Sequence, residues 1–420
     1  MRRLKVLLSA YACEPGQGSE AGVGWNVATH MARYHDVWVI TRENNRPAIE
    51  AALADAAGVR PRFVYFDLPP WARWWKRRQQ GVQVYYYLWQ LGAYFVGRRL
   101  HRTIKFDLVH HVTFVKYWAP SFGALLSVPF LWGPVGGGES SPRHLWPELG
   151  ARGESYEWWR ELARALGERD PLVRFTAHRS TIALAATPQT GQRLRILGVK
   201  SVYMFSQAAI SREEFLCLSA NHASPDRPYR FVSIGRLLPL KGFHWGLRAF
   251  ARAGLPDWEY LVIGGGPDEE RLRTLARSLH IDERVHFLGS LRREEVFSRL
   301  RDCDVLVHPS LHDSGGWVCV EAMAAGKPVI CLDLGGPALA IGAEAGVIIP
   351  AAHPGLADRL ATAMTLLARN HELRRRLGEM GRRRVLQGFL WEGRARQLAS
   401  YYVEVVANHR SDGGRAWPLG

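Results

Sequence analysis

The sequence predicts an α/β protein with two doubly wound parallel sheets. Three observations carry that expectation. Short, almost uninterrupted apolar runs alternate with amphipathic stretches along all 420 residues. The alternation is traversed twice. A polar, proline-containing stretch, SANHASPDRPYR at 219–230, separates the two passes. Near-continuous apolar strands suit sheets covered on both faces by helices, which is the parallel arrangement. A chain of this length makes two or three domains, each able to bury its own core.

The N-terminus, MRRLKVLLSAYACEPG, places basic residues before an apolar run, as a secretory leader does. The run is short, lacks a cleavage region and leads into a glycine-rich turn, so a buried first strand over 5–9 fits better. Helical patterns at 22–33 and 47–57 alternate with strands at 37–40, 62–66, 108–111 and 129–132. Residues 117–138 are uncharged and long enough to span a bilayer, but three prolines and five glycines break them. Turn and strand inside a domain is the expected form. In the second pass, strands are expected at 231–234, 260–263, 285–288, 305–308, 329–332 and 347–349. Helices at 243–253, 268–279, 293–300 and 318–325 alternate with them. No short-period repeat is present.

The net charge of +16 favours polyanionic partners such as nucleotide phosphates, nucleic acid or an anionic membrane. The five cysteines are scattered, and no CxxC or Cys/His cluster argues for zinc. Buried free thiols in a reducing compartment are expected.

Ligands of doubly wound sheets sit beyond the carboxyl ends of the strands, so the loops there carry the candidate chemistry. In SIGRLLPLKGF (233–243), Gly235, Arg236 and Lys241 follow a strand. Two cations there suit a diphosphate, Arg as a bidentate donor and Lys as a point charge. In LVIGGGPDEERL (261–272), Gly265 and Gly266 permit close backbone approach to a ligand, although the GxGxxG spacing of a dinucleotide site is absent. In HPSLHDSGGWVCVEAMAAGKPVI (308–330), a loop holding Asp313, Ser314, Gly315 and Gly316 opens a helix at Trp317 and Val318. Amides around 315–318 would face an anion, and Glu321, one turn inside, would accept from a ribose diol. EPGQGSEAGVGW (14–25) repeats the pattern in the first half through Gly16, Gly18, Ser19 and Gly22. His110 and His111 end a strand and face opposite sides; one is expected in the core and the other toward a ligand. Gly137 lies in a further post-strand loop, WGPVGGGES (132–140), able to approach acceptor or phosphates.

These marks, in this order and spacing, resemble the retaining glycosyltransferases of family 4, the group 1 transferases with the GT-B fold. The resemblance implies two Rossmann-like domains facing a central cleft. Residues 1–215 would bind the acceptor and 225–388 the nucleotide sugar. The 389–407 helix, with FLWEGRARQLASYY, would cross back to the first domain. It further implies that Arg236 and Lys241 bind the donor diphosphate and Glu321 the ribose. Asp313 with Ser314 and the 315–318 amides would hold sugar and phosphate, and no metal or other cofactor is needed beside a UDP- or GDP-sugar substrate. The chain departs from the family in having Asp rather than Glu at 313, Ser314 and Gly315 in place of a glycine and an aromatic, and FSQAAI (205–210) where an Asn-Gly turn is usual.

A double-displacement glycosidase needs two carboxyls about 5–5.5 Å apart across the scissile bond. Asp313 and Glu321 are instead expected at different ends of the donor. Front-face transfer with retention follows, the leaving phosphate helping to deprotonate the acceptor and His111 (or His110) orienting a sugar. Residues 68–106 hold eight Lys/Arg and no acid, with nine aromatics within 71–95. Such a segment suits an anionic membrane face and hence a lipid-linked or polysaccharide acceptor, or else packs as an apolar helix with a basic edge. No nucleic-acid motif appears. Two other readings stay open: a sugar-nucleotide epimerase of the same architecture, and a catalytically silent sugar-nucleotide scaffold. The missing fingerprint disfavours a dehydrogenase.

Overall fold

Seven strands make the first sheet: β1 (Lys5–Ser9), β2 (Asp36–Thr41), β3 (Arg62–Tyr65), β4 (Leu108–His111), β5 (Phe130–Val135), β6 (Ser180–Ala185) and β7 (Val202–Met204). Six make the second: β8 (Tyr229–Ile234), β9 (Trp258–Ile263), β10 (Val285–Gly289), β11 (Val305–His308), β12 (Val329–Leu332) and β13 (Gly346–Ile349). The computed structural model describes residues 2–54, 58–72, 81–220 and 227–411. The end of the expected 47–57 helix, the middle of the 219–230 seam and the basic residues Arg73, Lys76, Arg77 and Arg78 lie outside the described residues.

Among the described residues every strand pairing is parallel, in the orders β3-β2-β1-β4-β5-β6-β7 and β10-β9-β8-β11-β12-β13. β4, β5, β11 and β12 are buried along their whole length, including the histidines that end β4 and β11. The two weakest sequence signals, β6 and β7, were not expected. β6 (STIALA) follows the Pro171–Arg179 helix with no glycine or proline break, and β7 is three residues long. Both orders reverse direction at one point, between β1 and β4 and between β8 and β11, and ligands of such sheets bind there.

The sheets belong to two units. One contains Met1–Gly138, Ala163–Gln207 and Arg394–Gly420; the other contains Glu139–Leu162 and Ala208–Gly393. Residues 139–162, which the sequence reading assigned with the first domain, therefore group with the second sheet. In the first unit, the Trp391–Ser411 helix contributes Tyr402, whose hydroxyl lies 2.7 Å from His110 Nδ1.

Residues 117–138 contain the Phe122–Leu125 turn and β5. Among the described residues no helix is long and apolar enough to cross a membrane. The Val82–Ile104 helix divides its aromatics between two faces. Tyr85, Tyr86, Trp89 and Ala93 are buried in the core of the first unit. Val84, Tyr87, Leu88, Leu91 and Phe95 are exposed, and Arg98, Arg99 and Arg102 continue that face. The spacing i, i+3/4, i+7, i+11 puts these residues on one side of a helix.

Candidate functional site

The site grows from the reversal point of the second sheet. Ser233 Oγ on β8 donates to the carbonyl of Val307 on β11 and lies 2.7 Å from Tyr260 Oη on β9, fixing three strands just before they end. Beyond β8, Gly235 has φ of 150°, and Arg236 projects exposed, with no side-chain partner among the described residues. The loop then folds against the glycines after β9, with Leu237 N donating to Gly265 O at 3.0 Å. A Cβ on Gly264 would stand 1.9 Å from Gly235 O, and one on Gly266 2.3 Å from Leu237 O. Gly265 and Gly266 were expected to admit a ligand. Here the space beside Gly264 and Gly266 is filled by the backbone that presents Arg236, so their small size serves the loop.

Asp313 is the hub of the acidic loop. Its Oδ2 accepts from Lys241 Nζ at 2.9 Å and lies 3.1 Å from His308 Nε2. Its Oδ1 accepts from the amides of Gly315 and Gly316 at 3.1 and 2.8 Å. Burial alone would raise its pKa. Lys241, His308 and the Gly316 amide outweigh that and hold the carboxyl well below the usual range, so it is ionised. Two amides expected to face an anion are therefore taken by the chain's own carboxylate. The amides of Trp317 and Val318 remain in the first turn of the Trp317–Ala324 helix, where no intrahelical acceptor exists. Gly316 precedes that helix at φ 68°, which a side chain resists.

Glu321 lies one turn into the helix, as expected, and is buried. Burial pushes its pKa up, and the Arg293 guanidinium counters this from 2.8 Å. Arg293 opens the Arg293–Arg301 helix, and its Nε also donates to Glu214 Oε1 at 2.8 Å. Neither partner is legible in the sequence, because no local spacing links three separate helices.

The acidic loop is also tied to the 139–162 segment. Ser314 Oγ donates to Glu139 Oε1 at 3.0 Å. His312 is kept neutral chiefly by burial, and its Nε2–H donates to Glu157 Oε2 at 2.8 Å. Glu157 is fully buried and also accepts from Ser141 Oγ at 2.7 Å. Glu139 follows the glycine run of a post-strand loop, a signal that could have marked it.

In the first unit, Gly16 has φ of 69°, Gly18 caps the Ser19–Ala32 helix and Gly22 lies inside it. The Ser19 side chain lies outside the described residues. Gly137 (φ 92°) packs so that a Cβ would stand 2.3 Å from the Trp118 ring. His110 and His111 are both buried, contrary to the expectation that one faces a ligand. β4 is covered on both faces, so alternation aims one ring at Tyr402 and Gly133 O and the other at Tyr86 Oη and Thr113 O. Gly133 O can only accept, so His110 carries its proton on Nε2 and accepts from Tyr402 at Nδ1. Burial lowers their pKa values to about 3 and about 4. Among the described residues no cluster of three or more His, Cys, Asp or Glu is placed to hold a metal ion.

Residues 218–384 match the family model described as "Glycosyl transferases group 1". A D-inositol 3-phosphate glycosyltransferase of Corynebacterium glutamicum (strain R) is 33% identical over 190 residues, 43% of this chain and 44% of that protein. A putative colanic acid biosynthesis glycosyltransferase, WcaL, of Salmonella typhimurium is 30% identical over 42% of this chain and 45% of its own length. The chain thus aligns with less than half the length of either relative. Among solved structures, sucrose-phosphate synthase of Thermosynechococcus elongatus superposes with a TM-score of 0.69 at 20% identity, covering 96% of this chain and all of that one. Anabaena HepE, solved in complex with UDP and glucose, gives 0.63 at 16% identity over 96% and 100%. The fold is GT-B: two parallel-sheet α/β domains of seven and six strands.

Proposed function

We propose that this chain, whose residues 218–384 carry the group 1 glycosyl transferase match, moves a sugar from a nucleotide-sugar donor to a hydroxyl acceptor with retention of configuration. One observation carries the reading. At the reversal point of the second sheet, an unpaired exposed cation (Arg236), a paired one (Lys241) and the first turn of a helix stand together, with Glu321 one turn further in. That set matches a diphosphate with a ribose on one side and a sugar on the other.

Arg236, Lys241 and the Trp317 and Val318 amides receive the diphosphate and stabilise the charge that grows on it as the glycosidic bond breaks. Losing one such donor costs about 10²–10³ in rate. The cations supply the positive charge that the leaving group needs, so the reading calls for no metal ion. Glu321 accepts from the ribose. Asp313, held ionised, orients the loop whose Ser314, bonded to Glu139, meets the sugar. Attack from the face of the leaving phosphate, which takes the acceptor's proton, gives retention. Both His110 and His111 are buried, so in this reading they shape the first unit and sugar orientation falls to the acidic loop.

The acceptor is taken to be a glycan or lipid-linked sugar of a bacterial cell envelope. Support comes from the exposed apolar stripe and arginines of the Val82–Ile104 helix, which suit an anionic lipid surface. Nucleoside diphosphate release measured with and without acceptor, with NMR of the product's anomeric centre, tests this. Acceptor-dependent release with retention is expected. Release of nucleoside diphosphate with no acceptor points to a hydrolase, conversion of the nucleotide sugar to an epimer without release to an epimerase, and neither change to a silent binder.

A further inference from the structure

We infer that Arg293 is a positioning residue for nucleoside recognition: it holds the Glu321 carboxylate in one orientation for the donor's ribose. The inference rests on the reading above that Glu321 takes the ribose. It adds a residue from a different helix, and it accounts for how a buried acid can stay usable.

The geometry is a relay across three helices. Ser211 N donates to Glu214 Oε2 at 2.9 Å, and Glu214 N donates back to Ser211 Oγ at 3.1 Å, so this capping box fixes Glu214. Glu214 Oε1 receives Arg293 Nε at 2.8 Å. Arg293 Nη1 stands 2.8 Å from Glu321 Oε1. The guanidinium lies 4.7 Å from the centre of the Phe297 ring, which restrains its plane. Glu321 is almost fully buried, and an isolated buried carboxylate takes up a proton rather than stay charged. Arg293 offsets part of that penalty at Oε1, and because its Nε is held by Glu214 the guanidinium fixes where that oxygen sits. A carboxylate accepts from both hydroxyls of a diol, whereas a protonated acid turned freely does not. Lysine at 293 would keep the charge but lose the fork.

The test uses the full chain and titration calorimetry with UDP, GDP and ADP and their 2′-deoxy counterparts. The wild type is expected to favour the ribo form of its nucleotide by about tenfold or more, the value of a hydrogen bond to a charged group. In Arg293→Gln that preference falls to near unity, while affinity for the deoxy form stays within about threefold, because the diphosphate contacts are untouched. Arg293→Lys restores part of the preference, and donor KM rises in these variants with kcat held. Should Arg293→Gln not fold, Arg293→Lys and Glu214→Gln carry the same comparison, each expected to lower the ribo/deoxy ratio. A wild-type ratio retained in the folded variants overturns the role of Arg293 and leaves the ribose reading standing. Equal affinity of the wild type for both forms, or binding of neither, overturns the ribose reading and this inference with it.

Discussion

Nζ of Lys241 lies 2.9 Å from Oδ2 of Asp313, joining the loop after β8 to the loop after β11. Each side chain is about one-fifth exposed, so the pair is partly desolvated. Removing one partner of a buried pair costs more than the pair itself contributes, because the other charge is left uncompensated. Lys241→Met is therefore expected to destabilise the chain by about 2–3 kcal/mol, and Asp313→Asn by less, since asparagine still accepts from the Gly315 and Gly316 amides. Urea unfolding at pH 7.5 orders the two. Equal losses would show that the amide bonds asparagine retains do not offset the lost charge.

Acid sensitivity follows from His110 and His111. Their folded pKa values, about 3 and about 4, lie below the ordinary histidine value of about 6.5. Below pH 6.5 the unfolded chain binds protons that the folded chain refuses, so stability falls with pH until the folded values are reached. Each contributes a slope of up to about 1.4 kcal/mol per pH unit in that window. Asp313 acts lower: its depressed pKa gives stability present above about pH 3.9 and lost as pH falls toward its folded value. Unfolding midpoints between pH 7.5 and 4.5 should fall steadily in the wild type and more shallowly in His111→Gln. Parallel curves would contradict the assignment.

Tyr402 donates to His110 Nδ1 within the first unit. Tyr402→Phe leaves that nitrogen buried without a donor, at a cost of about 1–3 kcal/mol. Thermal unfolding of the variant measures it, and a melting temperature matching the wild type would show that the contact contributes nothing.

Gly264 combines φ of 133° with a Cβ position 1.9 Å from Gly235 O. Gly264→Ala must displace the loop that carries Arg236, so a loss of at least about 2 kcal/mol is expected together with weakened nucleotide binding. Wild-type stability and binding in this variant would place the glycine run outside the site.

The exposed stripe from Val84 to Phe95, continued by Arg98, Arg99 and Arg102, should bring the chain to anionic vesicles. Each basic residue near such a surface contributes about 1 kcal/mol, so reversing all three should lower partitioning by about 100-fold or more, and salt should do likewise. Flotation with neutral and anionic liposomes decides. Equal recovery with both lipids, or with the reversed variant, removes the membrane from the account.

The second sheet and its acidic loop were legible because their signals are local. Apolar strands, a glycine turn and an acid one turn into a helix all fall within a few residues of one another. β6 and β7 were hidden by short length and missing breakers. The partners of the site residues were hidden by distance along the chain: Ser314 meets Glu139 across 175 residues and His312 meets Glu157 across 155. Gly266 and Gly315 show the other limit. A glycine or a free amide at a strand end suits a ligand and a close backbone contact equally well. The sequence does not say that Leu237 O and the Asp313 carboxylate occupy those places.

Direct titration of UDP-, GDP- and ADP-sugars into the wild-type chain and into Arg236→Ala and Glu321→Ala tests the central claim most closely. One nucleotide sugar should bind with unit stoichiometry, and each substitution should weaken it by about 10–100-fold, the worth of a charged hydrogen bond. Failure of all three compounds to bind, or affinities unchanged by both substitutions, would contradict it.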